Sequence, residues 1–176
     1  KKIIFLSTPF DKEAVDYLES INVLLYKIAS FDIGNYSLIK KIVKTKKPTI
    51  SSTGMATFSE INKIYKFFKN NRVNLSLLHC VSSYPNKEES SYLSNIEVLK
   101  RKFKCPIGIS DHTNDIKIPI YATLLGSKII EKHLKIDENH KCVDAPVSIT
   151  EMQLKELRKE VDKIGLILQK PSFGIR

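Results

Sequence analysis

Short apolar runs alternate with longer amphipathic stretches along the whole chain. The runs are Ile3–Ser7, Leu24–Ile28, Thr49–Ser52, Leu75–Val81, Ile107–Ser110 and Lys128–Glu131. Each is short enough to be a buried strand and is followed by a polar break. The stretches between and after them, Glu13–Ser20, Ser37–Lys44, Ser59–Lys69, Asn95–Phe103, Lys117–Leu125 and Glu151–Leu168, carry helical periodicity. In Ser59–Lys69 the apolar residues Ile61, Ile64, Tyr65 and Phe68 share one face, and Glu60, Asn62, Lys63, Lys66 and Lys69 fill the other. Thr150-Glu151 with Gln153 reads as an N-cap and capping box for the last helix.

Buried strands alternating with helices imply a parallel sheet with right-handed crossovers. An open doubly wound sheet and a closed barrel both satisfy that pattern. No GxGxxG or Walker sequence supports the open form. The polar residues favour the barrel, because nearly every run ends in a polar cluster. These clusters are Ser7-Thr8-Pro9-Phe10-Asp11, Lys27 to Asp32, Ser51 to Thr57, His79 to Pro85, Ser110-Asp111-His112-Thr113 and Glu131-Lys132-His133. In a barrel every strand end faces one central pocket, whereas an open sheet needs chemistry only at its switch point. The expected fold is therefore a TIM (β/α)8-type barrel. Six of its eight units are visible over 1–176, and the amino-terminal two are expected to be missing.

Composition narrows the class. A chain of 176 residues fits one domain. The apolar runs are too short to span a bilayer. The start Lys1 to Leu6 resembles a signal peptide, but Thr8, Pro9 and Asp11 interrupt it, so it reads as a strand. Cys80, Cys105 and Cys142 have no CxxC or zinc-finger spacing, which suits a reducing cytoplasm. Cys80, in an apolar run, reads as a small buried hydrophobe. The net charge of +10 comes from dispersed lysines without a nucleic-acid motif, so no nucleic-acid partner is expected. The same field would attract a small anionic substrate.

The candidate chemistry lies at the strand ends. His112 and His133 follow consecutive runs and would be close enough in a barrel to share a divalent ion with open positions. They also fit a hydrogen-bonding loop residue and a packed strand-end residue. His79 falls within a strand and His140 in a loop, and neither takes a role. Lys27, in Leu24-Leu25-Tyr26-Lys27-Ile28-Ala29, either meets an anion such as phosphate or carboxylate or snorkels at the sheet rim. Thr8, Ser30, Ser52, Ser82 and Ser110 supply hydroxyls, which equally suit helix caps. Asp144, in the loop after the final run, either folds back over the pocket as an acid/base or sugar ligand or is solvated. Asp111 and Glu131 either orient the imidazoles or balance Lys132.

The strings S-T-P-F-D, Y-K-I-A-S-F-D, S-S-T-G-M-A-T, L-H-C-V-S-S-Y-P, G-I-S-D-H-T and I-I-E-K-H-L, in this order, resemble the sialic acid synthase family, including pseudaminic and legionaminic acid synthases. The resemblance implies metal-dependent condensation of phosphoenolpyruvate with an N-acetyl amino-sugar, giving a nonulosonic acid and phosphate by C–O cleavage. It implies Mn2+ or Mg2+ held by His112 and His133. It implies phosphoenolpyruvate gripped by Thr8, Lys27, Ser30 and Ser110, with Tyr84, Glu131 and Asp144 facing the sugar and reaction centre. Ser82 stands where N-acetylneuraminate synthases have asparagine, so its substrate contact is the point at which the chain departs from the pattern. The resemblance also implies a cytoplasmic, homodimeric full-length enzyme. Its two leading units and its carboxyl-terminal antifreeze-like domain lie outside this chain, so the 176 residues alone are expected to be inactive. The alternatives are another phosphoenolpyruvate-using barrel synthase and a non-catalytic sugar- or protein-binding module.

Overall fold

The computed structural model describes residues 3–139 and 141–169; His140 lies outside them. Six strands form one parallel sheet in the unbroken order β1 to β6. They are β1 (Tyr26–Ile28), β2 (Thr49–Ser52), β3 (Leu75–Cys80), β4 (Ile107–Asp111), β5 (Ile130–Leu134) and β6 (Ser148–Ile149). A doubly wound sheet reverses its order at a switch point. Each strand here instead pairs with the next in sequence, so the sheet is a continuous arc of barrel wall. The expected (β/α)8-type architecture is what the chain adopts, as a partial barrel.

Helices α1 (Lys12–Ser20), α2 (Tyr36–Lys44), α3 (Phe58–Asn70), α4 (Ser94–Lys102), α5 (Lys117–Leu124) and α6 (Glu151–Ile167) lie within a residue or so of the predicted spans. Caps set several of their starts. Asp11 Oδ1 accepts from the Ala14 amide at 2.6 Å. Thr57 with Glu60, and Thr150 with Gln153, form complete capping boxes. A cap of this kind contributes about 0.5–2 kcal/mol and fixes where the loop from the preceding strand must end. The apolar helix faces, including Val15, Ile39, Ile42, Ile64, Phe68 and Ile96, pack on Tyr26, Ile28, Leu77, Ile107 and Ile109 of the sheet. A smaller cluster of Ile116, Ile149 and Leu157 seats α6. Gly108 lets β4 close against its neighbours: a Cβ there would sit 2.4 Å from the Ile129 carbonyl oxygen and 2.5 Å from Leu78 Cδ2.

Three expectations need correction. Ile3–Ser7 is not a strand; it makes only one parallel bridge, between Ser7 and Tyr26. Strand β1 begins at Tyr26 rather than Leu24, so only one rung lies within reach, and Ile3, Ile4 and Phe5 are 93, 58 and 63% exposed. The run at Lys128–Glu131 becomes Ile130–Leu134, which puts His133 inside a strand rather than after one. Its extension is drawn out by β6, which pairs His133 with Ser148 and Leu134 with Ile149. Asp144 therefore lies in a loop between two strands, not after the last one. A two-residue strand has no periodicity to detect.

Candidate functional site

A cavity of about 630 Å³ opens at the carboxyl ends of the strands. Its wall includes Thr8, Lys27, Ser30, Ser82, Tyr84, Ser110, His112, Glu131 and His133, which brings together nine of the ten residues discussed with the family resemblance. The tenth, Asp144, is not part of this wall. Its Oδ2 lies 3.6 Å from His133 Nδ1, so the β5–β6 loop folds back to the rim.

The imidazoles of His112 and His133 have ring centres 5.6 Å apart. Parallel pairing of β4 with β5, in which Asp111 lies opposite Lys132, produces this proximity. His112 is buried, and its Nδ1 lies 2.9 Å from the Val81 carbonyl oxygen. Donation by Nδ1–H to that carbonyl leaves Nε2 with the lone pair, the tautomer that suits a metal ligand. Burial opposes charging of His112, but contact with the Cys80 thiol and the Val81 carbonyl outweighs it and raises its pKa. At His133 burial wins. It holds the imidazole below its ordinary value against the pull of Asp144, with His112 adding to the lowering. Tyr84 covers both rings, with its centroid 4.0 Å from that of His112 and 5.9 Å from that of His133.

Two imidazoles can hold a divalent ion whose other positions are filled by water and substrate oxygens. Among the described residues no group of three or more His, Cys, Asp and Glu is arranged to hold a metal ion, so these two imidazoles would depend on water and substrate oxygens to complete a site. The neighbouring carboxylates are engaged elsewhere. Asp111 Oδ2 accepts from Lys132 Nζ at 2.6 Å, so its charge is balanced by that ammonium. Glu131 Oε1 accepts from Ser110 Oγ at 2.7 Å and lies 3.4 Å from Lys27 Nζ.

Lys27 is only 6% exposed, so it does not snorkel. Its ammonium donates to the Ile28 carbonyl at 3.1 Å and faces Glu131. An ammonium has three donors. Those contacts leave it capacity for an anion in the cavity it lines. Hydroxyls line the same cavity. Ser30 Oγ accepts from the Gly54 amide at 3.0 Å, and the buried Ser52 Oγ, also on the cavity wall, has no protein partner. A buried unpartnered hydroxyl is costly in an empty core but natural where a ligand completes it.

Sequence reasoning missed Cys80. It is buried as expected, yet it lines the cavity, with Sγ 3.9 Å from His112 Nδ1 and 3.8 Å from Ser82 Oγ. Its place at the end of β3, inside one of the polar clusters, was the available signal. Lys132 borders this wall but also a second cavity behind the sheet, and its Nζ is bound to Asp111 and the Thr113 carbonyl.

The loop carrying Tyr84 is anchored from below. His79 Nε2 meets the Ser91 carbonyl at 2.7 Å, Asn86 Nδ2 donates to Ser91 Oγ, and the Asn86 amide donates to the His112 carbonyl at 2.9 Å. Burial depresses the His79 pKa, outweighing the Ser91 carbonyl. The unfolded chain then takes up this proton first as pH falls, so His79 costs stability on acidification below about 6.5. In urea titrations, the wild type should lose midpoint from pH 7 to 5.5 more steeply than His79→Gln. Equal slopes would show that His79 is not held neutral.

The NeuB family model matches residues 1–172. The chain belongs to the NeuB family. It is 40% identical over 165 residues to N,N'-diacetyllegionaminic acid synthase of Campylobacter jejuni, covering 92% of this chain and 49% of that protein. Pseudaminic acid synthase of the same species is 38% identical over 163 residues, covering 92% and 47%. The structure of N-acetylneuraminic acid synthetase from Leptospira borgpetersenii, in complex with citrate, superposes with a TM-score of 0.95 at 38% identity, covering 99% of this chain and 61% of that one. The chain thus spans about half the length of these curated relatives. The NeuB assignment agrees with the resemblance carried by the six strand-end strings.

Proposed function

We propose that the protein carrying this chain condenses phosphoenolpyruvate with an open-chain N-acetyl amino-sugar, in a divalent-metal-dependent reaction. The observation that carries this reading is one cavity holding two adjacent imidazoles and a buried ammonium with donors to spare. Family membership, and relatives named as legionaminic and pseudaminic acid synthases, support it.

In the reaction, the methylene carbon of phosphoenolpyruvate bonds to the sugar aldehyde carbon. Water adds at the neighbouring carbon, and that carbon's bond to the phosphate oxygen breaks, releasing inorganic phosphate. His112 and His133 would hold Mn2+ or Mg2+, which supplies Lewis-acid polarisation of the aldehyde when bound. Lys27 holds the anionic substrate with Thr8, Ser30 and the unpartnered Ser52, and Ser110 joins them by turning its hydroxyl from Glu131 to the substrate, so negative charge leaving on phosphate meets donors lining the cavity. Ser82, exposed at the rim, offers a shorter contact than an asparagine would. Tyr84 shields the imidazole pair from solvent. Glu131 and Asp144 accept from sugar hydroxyls or move a proton at the reacting oxygen.

The test is phosphate release by the full-length protein from phosphoenolpyruvate, with N-acetylmannosamine and with 2,4-diacetamido-trideoxyhexoses offered separately. Release with one class of sugar, lost on chelation and restored by Mn2+, is expected. Metal binding without phosphate release from any of these sugars would favour a binding module instead.

A further inference from the structure

The pair Asp111–Lys132 is buried, with side chains only 2% and 4% exposed. Taking two charges out of water costs as much as their attraction returns in many proteins, and an apolar pair of similar volume is often at least as stable. Stability is therefore a weak account of this pair, and its position offers a better one. Asp111 and Lys132 are register partners on the last rung between β4 and β5. His112 follows Asp111 directly, and His133 follows Lys132. Successive residues of a strand face opposite sides, so Lys132 reaches behind the sheet while its neighbours Glu131 and His133 face the cavity.

The bonds from this pair bracket His112. Lys132 Nζ donates to Asp111 Oδ2 at 2.6 Å and also to the Thr113 carbonyl. Asp111 in turn accepts from the Thr113 amide at 3.2 Å and from its hydroxyl at 2.8 Å. The residues before and after one imidazole are thus tied to the residue before the other.

We propose that the Asp111–Lys132 pair, with Thr113, is a positioning device that sets the separation of the His112 and His133 imidazoles and hence the strength of divalent-metal binding. This rests on the metal reading of the site. The pair acts only through the two ring-bearing backbones. Loss of the clamp lets the turn after β4 relax, and the two nitrogens cease to be presented together. Loss of an outer-shell partner of a metal ligand typically weakens binding about 10–100-fold.

The experiment is Mn2+ titration of the full-length protein followed by electron paramagnetic resonance, with urea unfolding run in parallel. The double variant Asp111→Leu/Lys132→Met removes both charges and is expected to keep a midpoint near wild type while its Mn2+ affinity falls 10–100-fold. Unchanged affinity in the folded double variant would overturn the positioning role and leave the metal reading intact. No Mn2+ binding by the wild type would overturn both. Should the double variant not fold, Thr113→Val removes one bond to Asp111 and keeps the ion pair. A several-fold loss of affinity at unchanged midpoint is then expected, and no loss would overturn the proposal.

Discussion

Replacing His112 by alanine is expected to abolish metal-dependent phosphate release by the full-length protein. It should weaken Mn2+ binding by more than the roughly 10–100-fold that loss of an outer-shell partner costs, because on the proposed reading a ligand itself is removed. The imidazole has little freedom to be replaced by another group. Its Nδ1 is committed to the Val81 carbonyl, its ring lies under Tyr84, and its backbone carbonyl is held by the Asn86 amide. The neighbouring Asp111 is locked onto Lys132 and Thr113 and cannot swing in as a substitute ligand. Truncation also opens a gap beneath Tyr84, so unfolding is followed alongside. A variant that stays folded yet does not bind Mn2+ is the expected outcome. Unchanged turnover and affinity would remove His112 from the site. His133→Ala should behave alike, since its half-buried ring is held neutral and available.

The second large effect is expected at Lys27. Lys27→Met keeps the apolar stem and deletes the charge. A charge-assisted hydrogen bond contributes about 1.5–3 kcal/mol, so KM for phosphoenolpyruvate should rise about 10- to 150-fold. The KM for the sugar should move far less. Folding should survive, because a buried charge is removed and Glu131, with its side chain 40% exposed, keeps the Ser110 hydroxyl and solvent as partners. Steady-state kinetics with each substrate varied in turn separate these effects. An equal rise for both substrates would mean that Lys27 shapes the cavity rather than binding the anion. No change would mean that its ammonium is satisfied by Glu131 and the Ile28 carbonyl alone.

The alternation of apolar runs with helical stretches was enough to determine the helices and the parallel class of sheet. Both are local consequences of periodicity and capping, as at Thr57–Glu60 and Thr150–Gln153. The strand-end clusters also pointed to the barrel, because concentrating polar side chains at one end of every strand has little use in an open sheet. Nine of the ten residues discussed with the family resemblance meet in one cavity for that reason. The tertiary structure decided what depends on partners distant in sequence. Ile3–Ser7 has strand composition but only one rung within reach. Residues Ser148–Ile149 become a strand because β5 offers an edge, and that pairing extends β5 through His133 and folds Asp144 back to within 3.6 Å of it. Cys80 looked like an ordinary buried residue until register placed its sulfur beside His112. Lys132 and Asp111, twenty-one positions apart, carry opposite charges in the sequence but become a buried clamp only once β4 and β5 align. Periodicity records which face a residue takes, whereas its neighbour on the adjoining strand is a matter of register, which long-range pairing and burial set.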